Sequence, residues 1–368
     1  MINKIIIVKH VFEKTSASVQ RLTAEANEFQ RLGCEVVLII SHKDYIDEVP
    51  GGFRFIQLPY SSKDVVFSSL RFIKAIKKES TPNSAVLLIG APLYGCLIQK
   101  KYNVFVEDTE IPLFGLHASL IKRIYTYISN LTLLKAKGVM LISNNLIEFW
   151  RDHGIKNMEQ INMFVDTTRF EGLEKKSTEK YVGYCGFISV HKDGVNDLIY
   201  AFSLFSIKHP DYKLMIIGPF QNDYVRDTLI SLVKRMRLEN RVIFTGAITP
   251  AQMPQLLYDA EILALARPNN LQAKYGFPTK LGEYLATGNP VCVTKVGDIP
   301  HFLHDGINAF MAEPDNPKSF ANALCRVADD IENAKKIGLE GKKLVYKEFS
   351  SKIQAEKALS FINKLSCL

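Results

Sequence analysis

Short aliphatic and β-branched runs alternate with longer stretches of helical periodicity, and this rhythm is played twice along the 368-residue chain. In the first half the strand-like runs are Ile5 to Val8, Glu35 to Ile40, Ala85 to Ile89, Asn103 to Val106 and Gly138 to Ile142. Helix-like stretches such as Ser18 to Leu32 and Ser119 to Ala136 lie between them. Strands separated by helices read as parallel neighbours, because a parallel pair needs a long crossover. After the polar, Lys-rich "EGLEKKSTEK" the alternation restarts with Tyr181 to Cys185, Tyr212 to Ile217, Arg241 to Phe244, Glu261 to Ala266 and Pro290 to Thr294. The pattern predicts an α/β chain of two Rossmann-like doubly wound domains facing a cleft, over 1–165 and 166–348. A last helix over 349–368, with Ser350 as its N-cap, has apolar spacing that suits either domain, and packing back on the N-terminal one is the expectation. Sheets of this kind bind ligands outside the carboxyl ends of their strands.

Composition narrows the class. Hydrophobic residues at 47% and charged residues at 23% describe a globular protein rather than a disordered one. No apolar run approaches the ~18 residues of a membrane span, and "MINKIIIVKHVF" meets charge too soon for a signal peptide, so a cytoplasmic protein is expected. Cys34, Cys96, Cys185, Cys292, Cys325 and Cys367 are scattered without a C-x-x-C pair, the pattern of buried thiols in a reducing compartment. The net charge of +8 favours phosphate-bearing ligands, nucleic acid or an anionic membrane face without choosing among them.

Two stretches offer a strand, a glycine turn and a helix start. In "YVGYCGFISVHKDGV" the strand ends at Gly186, the loop carries His191 and Lys192, and a helix begins near Gly194. Glycine lets a phosphate approach the backbone, free helical N–H groups face it, and Lys192 adds a charge. Many sheets have such a turn and bind nothing there. In "KYGFPTKLGEYLATGNPV" Pro278 suits a helix start and Gly288 its stop, so Thr279, Lys280 and Leu281 would offer backbone N–H groups to an anion. Glu283, one turn in, has a plain reading as a helix-dipole carboxylate worth under ~1 kcal/mol. Its functional reading is an ionised acceptor for a ribose diol.

The segment from Arg267 through "PNNLQAKYGFPTKLGEYLATGNPVCVT" resembles the donor-site region of retaining glycosyltransferases of the GT-B fold, the large family 4 or group 1 type. "LISNNLIEFW", "INMFVDTTRF" and "VIFTGAITPAQMPQLLYDAEILALARP" resemble further family stretches, the last being the one that passes the nucleotide base and carries Gly246. The resemblance covers nearly the whole chain and loosens before residue 100. It implies a nucleoside-diphosphate sugar as donor, with no cofactor and no metal. Glu283 takes the place of the family's second glutamate, which holds the donor ribose. The first-glutamate position is Tyr275, with Gln272 near enough in the chain to offer amide contacts and Phe277 close by. Gly186 is followed by Phe187 where relatives carry arginine; Lys192 remains, and Arg267 at the end of "ILALA" is the candidate replacement. Lys192, Arg267 and the amides around Thr279 and Lys280 would stabilise the leaving diphosphate.

The resemblance assigns the acceptor to the N-terminal domain. Ser16 and Ser18 in the first loop, and Asp108 and Glu110 in "NVFVEDTE", are its acceptor-side candidates, with Glu110 for the acceptor hydroxyl. The acidic run equally suits a solvated loop. Basic helical faces in "SLIKRIYTYISNLTLLKAKG" (Lys122, Arg123, Tyr125, Tyr127, Lys135, Lys137) and "SSLRFIKAIKKES" (Arg71, Lys74, Lys77, Lys78) read as solvated surface or as a dock for an anionic leaflet bearing a lipid-linked acceptor. No nucleic-acid-reading module accompanies the charge. The expected activity is sugar transfer to a saccharide or lipid-linked acceptor in surface polysaccharide or glycolipid assembly. A non-catalytic nucleotide-sugar-binding protein and a nucleotide-sugar epimerase are the alternatives, motivated by Tyr275 and Phe187.

Overall fold

The aliphatic runs form the centres of two sheets in which every ladder is parallel. The computed structural model describes residues 1–367 apart from 11, 13–16, 43, 45, 50, 60–64, 112–119, 190 and 191, and leaves out the side chains of 17, 65, 66 and 120–125. Ser16, His191 and the side chains of Lys122, Arg123 and Tyr125 therefore lie outside the described residues.

Unit one comprises Met1–Phe164 and Ser351–Leu368. Its strands are β1 (Lys4–Lys9), β2 (Glu35–His42), β3 (Arg54–Pro59), β4 (Ser84–Ile89), β5 (Asn103–Asp108), β6 (Gly138–Leu141) and β7 (Met158–Gln160). They lie in the order β3-β2-β1-β4-β5-β6-β7. The central strands are buried on both faces, which is why they read as continuous apolar runs rather than alternating ones. The chain's last helix, Ser351–Ser366, belongs to this unit. Its apolar stripe of Ala355, Ala358, Phe361, Ile362 and Leu365 joins the core of β1, β2 and the helix Ala17–Arg31. Phe361 meets Phe105 edge-on at 6.1 Å, and Gln354 Oε1 accepts the Asn162 N–H at 2.7 Å.

Unit two comprises Val165–Ser350, with β8 (Tyr181–Cys185), β9 (Lys213–Ile217), β10 (Val242–Gly246), β11 (Ile262–Leu265), β12 (Val291–Thr294) and β13 (Phe310–Ala312) in the order β10-β9-β8-β11-β12-β13. In both sheets the chain works outward from its first strand and then crosses to that strand's other side. The switch points lie between β1 and β4 in unit one and between β8 and β11 in unit two. At such a point two neighbouring loops diverge and leave a crevice for a ligand.

Candidate functional site

At the switch point of unit two, β8 ends at Cys185 and Gly186, and β11 runs into Arg267. The loop after β8 returns through Asp193 and Gly194 to the helix Val195–Lys208. Gly194 has φ +65°, and a Cβ there would run into the carbonyl oxygen of Ala266. Only glycine lets the two loops close up in this way.

The closure buries a polar cluster. Asp193, 3% exposed, accepts from the Tyr184 hydroxyl at 2.9 Å and pairs with Lys280 Nζ at 2.5 Å. Burial pushes the Asp193 carboxyl up, but Lys280, Arg267 and the Tyr184 hydroxyl outweigh it and hold it below the usual carboxylate value. Lys280 also lies over the Tyr184 ring, 4.7 Å from its centre, and approaches its hydroxyl at 3.1 Å. A Cβ on Gly186 would meet Lys280 Nζ, so that glycine leaves room for the lysine head group.

Arg267 is 3% exposed, and its Nε and Nη1 have no hydrogen-bond partner among the described residues. Burial pulls it down from the ordinary guanidinium value while Asp193 works the other way. A guanidinium does not deprotonate in proteins, so the cation stays charged with donors unspent. Arg267 and Lys280 against one Asp193 leave an excess positive charge at the carboxyl ends of β8 and β11. An anion with several oxygens fits that excess.

The helix Thr279–Thr287 brings Lys280 and Glu283 to this place, entered through Pro278 and left through Gly288 with φ +82°. Tyr284 pins it to β8, its hydroxyl accepting the Cys185 N–H at 2.6 Å and donating to the Cys185 carbonyl at 3.1 Å. Glu283 Oε1 accepts from Arg169 Nη1 at 2.8 Å. Burial pushes the Glu283 carboxyl up, opposed by Arg169 and Lys280.

Other candidates are placed differently. Phe277 is buried against Phe302 and Phe349 at 5.6 and 5.7 Å, and Leu281 is wholly buried, so their side chains serve packing. Tyr275 is half-buried beside Lys274, and Gln272 is exposed on the same short helix Leu271–Tyr275. Lys192 is exposed, with its N–H donated to Ser189 Oγ at 3.2 Å; the lysine that pairs with Asp193 is Lys280, its side chain 17% exposed. Gly246 ends β10, where its carbonyl accepts the Gly218 N–H at 3.1 Å. Thr279 opens its helix half-buried.

At the switch point of unit one His10 follows β1. Its Nε2 lies 2.9 Å from the Tyr94 hydroxyl and its ring stacks on Phe72 at 4.2 Å. Burial, helped by Lys9, lowers His10 to about 4, so it is neutral near pH 7. Asp108 ends β5, and its carboxyl is pushed up to about 7, mainly by burial with Glu110 and Glu107 adding. Glu110 is exposed, and its N–H lies 3.5 Å from Asp108 Oδ1. Ser18 is exposed on the helix Ala17–Arg31. Among the described residues no cluster of three or more His, Cys, Asp or Glu has the arrangement of a metal site, and no helix is long and apolar enough to cross a membrane.

Asp193, Arg169 and His10 were not singled out from the sequence. The first two act through partners 87 and 114 positions away. The third had one usable signal, a position just past the first strand of a doubly wound sheet.

Residues 179–330 match the family described as glycosyl transferases group 1. The N-acetyl-alpha-D-glucosaminyl L-malate synthase of Bacillus anthracis is 27% identical over 157 residues, 43% of this chain and 38% of that protein. The alpha-1,3/1,6-mannosyltransferase of Dictyostelium discoideum is 32% identical over 132 residues, 36% of this chain and 30% of that protein. The matches thus span well under half the length of these relatives. Over the whole fold, HepE of Anabaena, solved in complex with UDP, is similar with a TM-score of 0.78 at 15% identity, covering 98% of this chain and 100% of its own. Sucrose-phosphate synthase of Thermosynechococcus elongatus has a TM-score of 0.79 at 17% identity, with 99% of both chains covered.

Proposed function

We propose, from the premise that this chain is a GT-B protein whose residues 179–330 form a group 1 glycosyltransferase domain, that it moves a sugar from a nucleoside-diphosphate sugar to an acceptor hydroxyl. The observation that carries the reading is Arg267, a buried cation with unspent donors beside Lys280 at the switch point of unit two. A diphosphate supplies the charge and the oxygens that this pair lacks.

The step balances on the substrates themselves. The bond from the sugar's anomeric carbon to the diphosphate oxygen breaks, and its electron pair stays on the diphosphate, where Arg267 and Lys280 stabilise the growing charge. The acceptor oxygen bonds to the anomeric carbon on the same face, and its proton passes to the leaving phosphate oxygen. Retention is carried over from the family resemblance. Glu283 receives the ribose diol. Two side-chain cations do the work that a divalent ion does elsewhere, so turnover is expected to survive a chelator. Asp108 and His10 are the acceptor-side groups of unit one. The net charge of +8 supports work at an anionic cytoplasmic membrane face on a saccharide or lipid-linked acceptor, as in surface polysaccharide or glycolipid assembly.

A panel of nucleoside-diphosphate sugars, each incubated with and without saccharide and polyprenyl-linked acceptors, tests the reading. Release of nucleoside diphosphate together with a glycosylated acceptor is the expected result. Binding without release would leave a non-catalytic nucleotide-sugar protein, and interconversion of the donor sugar without acceptor would make it an epimerase.

A further inference from the structure

Arg169 lies in the turn Thr167–Phe170 at the start of unit two, held in shape by Asp166, whose Oδ1 accepts from Thr168 N at 3.1 Å and Thr168 Oγ1 at 2.6 Å. Phe170 anchors the turn at 3% exposure. From there the guanidinium reaches two elements at once. Nη1 donates to Glu283 Oε1 at 2.8 Å, and Nη2 donates to the Pro250 carbonyl at 3.0 Å, in the loop after β10.

An ordinary surface ion pair is the plain alternative, and such pairs contribute little. Three features argue for more. The Arg169 and Glu283 side chains are 25% and 24% exposed, so both are largely withdrawn from water. The fork is split between a carboxylate and a backbone carbonyl from different elements, a geometry lysine cannot copy. Glu283 Oε2 has no donor among the described residues, so one carboxylate oxygen is held while the other remains available to a hydroxyl.

We propose that Arg169 is a positioning residue for the donor: it orients Glu283 through one oxygen, leaves the other for the ribose, and ties the loop after β10 to the same carboxylate. The inference rests on the reading of Glu283 as the ribose acceptor. A carboxyl is purely an acceptor, free to take both hydroxyls of a diol, when ionised, and the charged groups facing Glu283 are Arg169 from the turn and Lys280 from its own helix; the Cys185 thiol at the end of β8 and the Tyr284 hydroxyl face it as neutral titratable groups. Burial works against ionisation and the two cations work for it. Without Arg169 the carboxyl protonates at higher pH, and nucleotide affinity falls first on the acid side.

Calorimetric titration of the full chain with UDP, GDP and ADP, carrying the tightest binder forward as probe, tests this. Arg169→Ala is expected to weaken binding by about tenfold at about pH 8, the size of one charge-assisted hydrogen bond, and by clearly more at about pH 6. Arg169→Lys should restore the pH profile while recovering only part of the affinity, since a single ammonium nitrogen does not reproduce the two separated donors of the guanidinium fork. In turnover the donor KM should rise with kcat nearly unchanged. On a Glu283→Gln background, Arg169→Ala should add less than about twofold, because coupled residues are non-additive. If Glu283→Gln binds the probe like the parent protein, the ribose reading itself fails. If Glu283→Gln weakens binding but neither Arg169 variant does, the inference fails and the ribose reading stands. An Arg169→Ala loss that is the same at both pH values and on both backgrounds would reduce the residue to a structural brace and overturn the proposal. Should the alanine variant not fold, Arg169→Lys and Arg169→Gln carry the same comparison.

Discussion

A charge buried without a partner destabilises a fold unless it titrates or something else neutralises it. Glu25 in unit one is fully buried, and neither of its oxygens has a hydrogen-bond partner among the described residues. Arg21 is spent on Glu107 Oε1 and on the carbonyls of Asn162 and Ile161. Burial first, then the Glu107 charge, pushes the Glu25 carboxyl well above its usual value. The native state therefore keeps a proton that the unfolded chain releases above the ordinary carboxylate range, and stability falls as pH rises from there towards the native value. Glu25→Gln removes the titration, and its amide can donate to Glu107 Oε2, which lacks a partner. The variant should be more stable at about pH 7, by about 1 kcal/mol or more, with the gain shrinking towards about pH 4 in chemical denaturation. A loss of stability at neutral pH would refute this account of the cluster. Arg267 cannot take the same route, since it does not give up its proton. At this scale the sequence was legible where one motif carried the chemistry. Lys280 and Glu283 stand three apart in a punctuated helix, whereas Asp193 and Arg169 gain meaning only from partners that folding brings to them.

At the scale of elements, every strand flanked by strands on both sides is visible in the sequence, and of the four edge strands only β10, "VIFTG", is. β1, β2, β4, β8, β9 and β11 are interior strands with buried, aliphatic runs. The three strands not anticipated, β3, β7 and β13, are all edges. β3 is only half-buried and reads "RFIQLP", while β7 and β13 have three residues each, too short to show a period. The loops at the switch points have no period at all, and glycines mark them instead. Gly194 and Gly246 both have positive φ, +65° and +69°, but only Gly194 also lacks room for a Cβ. Gly246→Ala should cost about 1 kcal/mol, the left-handed penalty alone. Gly194→Ala should cost about 2 kcal/mol or more and weaken nucleoside-diphosphate binding too, because it forces the loop of Asp193 away from Arg267. Equal effects of the two substitutions in denaturation and binding would contradict the closure of the switch point.

On the whole molecule, charge and connectivity act together. The two-sheet pattern was readable because each sheet repeats the same crossover logic. The cationic surface was readable only as a total, since its placement depends on the fold. Lys100, Lys101, Lys135 and Lys137 line a cavity of about 310 Å³ at the amino ends of β4, β5 and β6, with no carboxylate in its wall. Lys77 and Lys78 end the helix Val65–Glu79 of the same unit. If unit one docks on an anionic leaflet, the protein should co-sediment with phosphatidylglycerol vesicles and not with phosphatidylcholine ones. Reversal to glutamate at Lys77, Lys78, Lys100 and Lys101 should release it, and unchanged binding would dismiss the membrane role. The central claim, a nucleotide-sugar site at the switch point of unit two, is tested most directly by calorimetry on Arg267→Met. With its unpartnered cation gone, the ligand-free protein should melt at a higher temperature. Affinity for the donor nucleotide should fall about a hundredfold, as expected for two charge-assisted hydrogen bonds. Binding as tight as that of the parent protein would contradict the account.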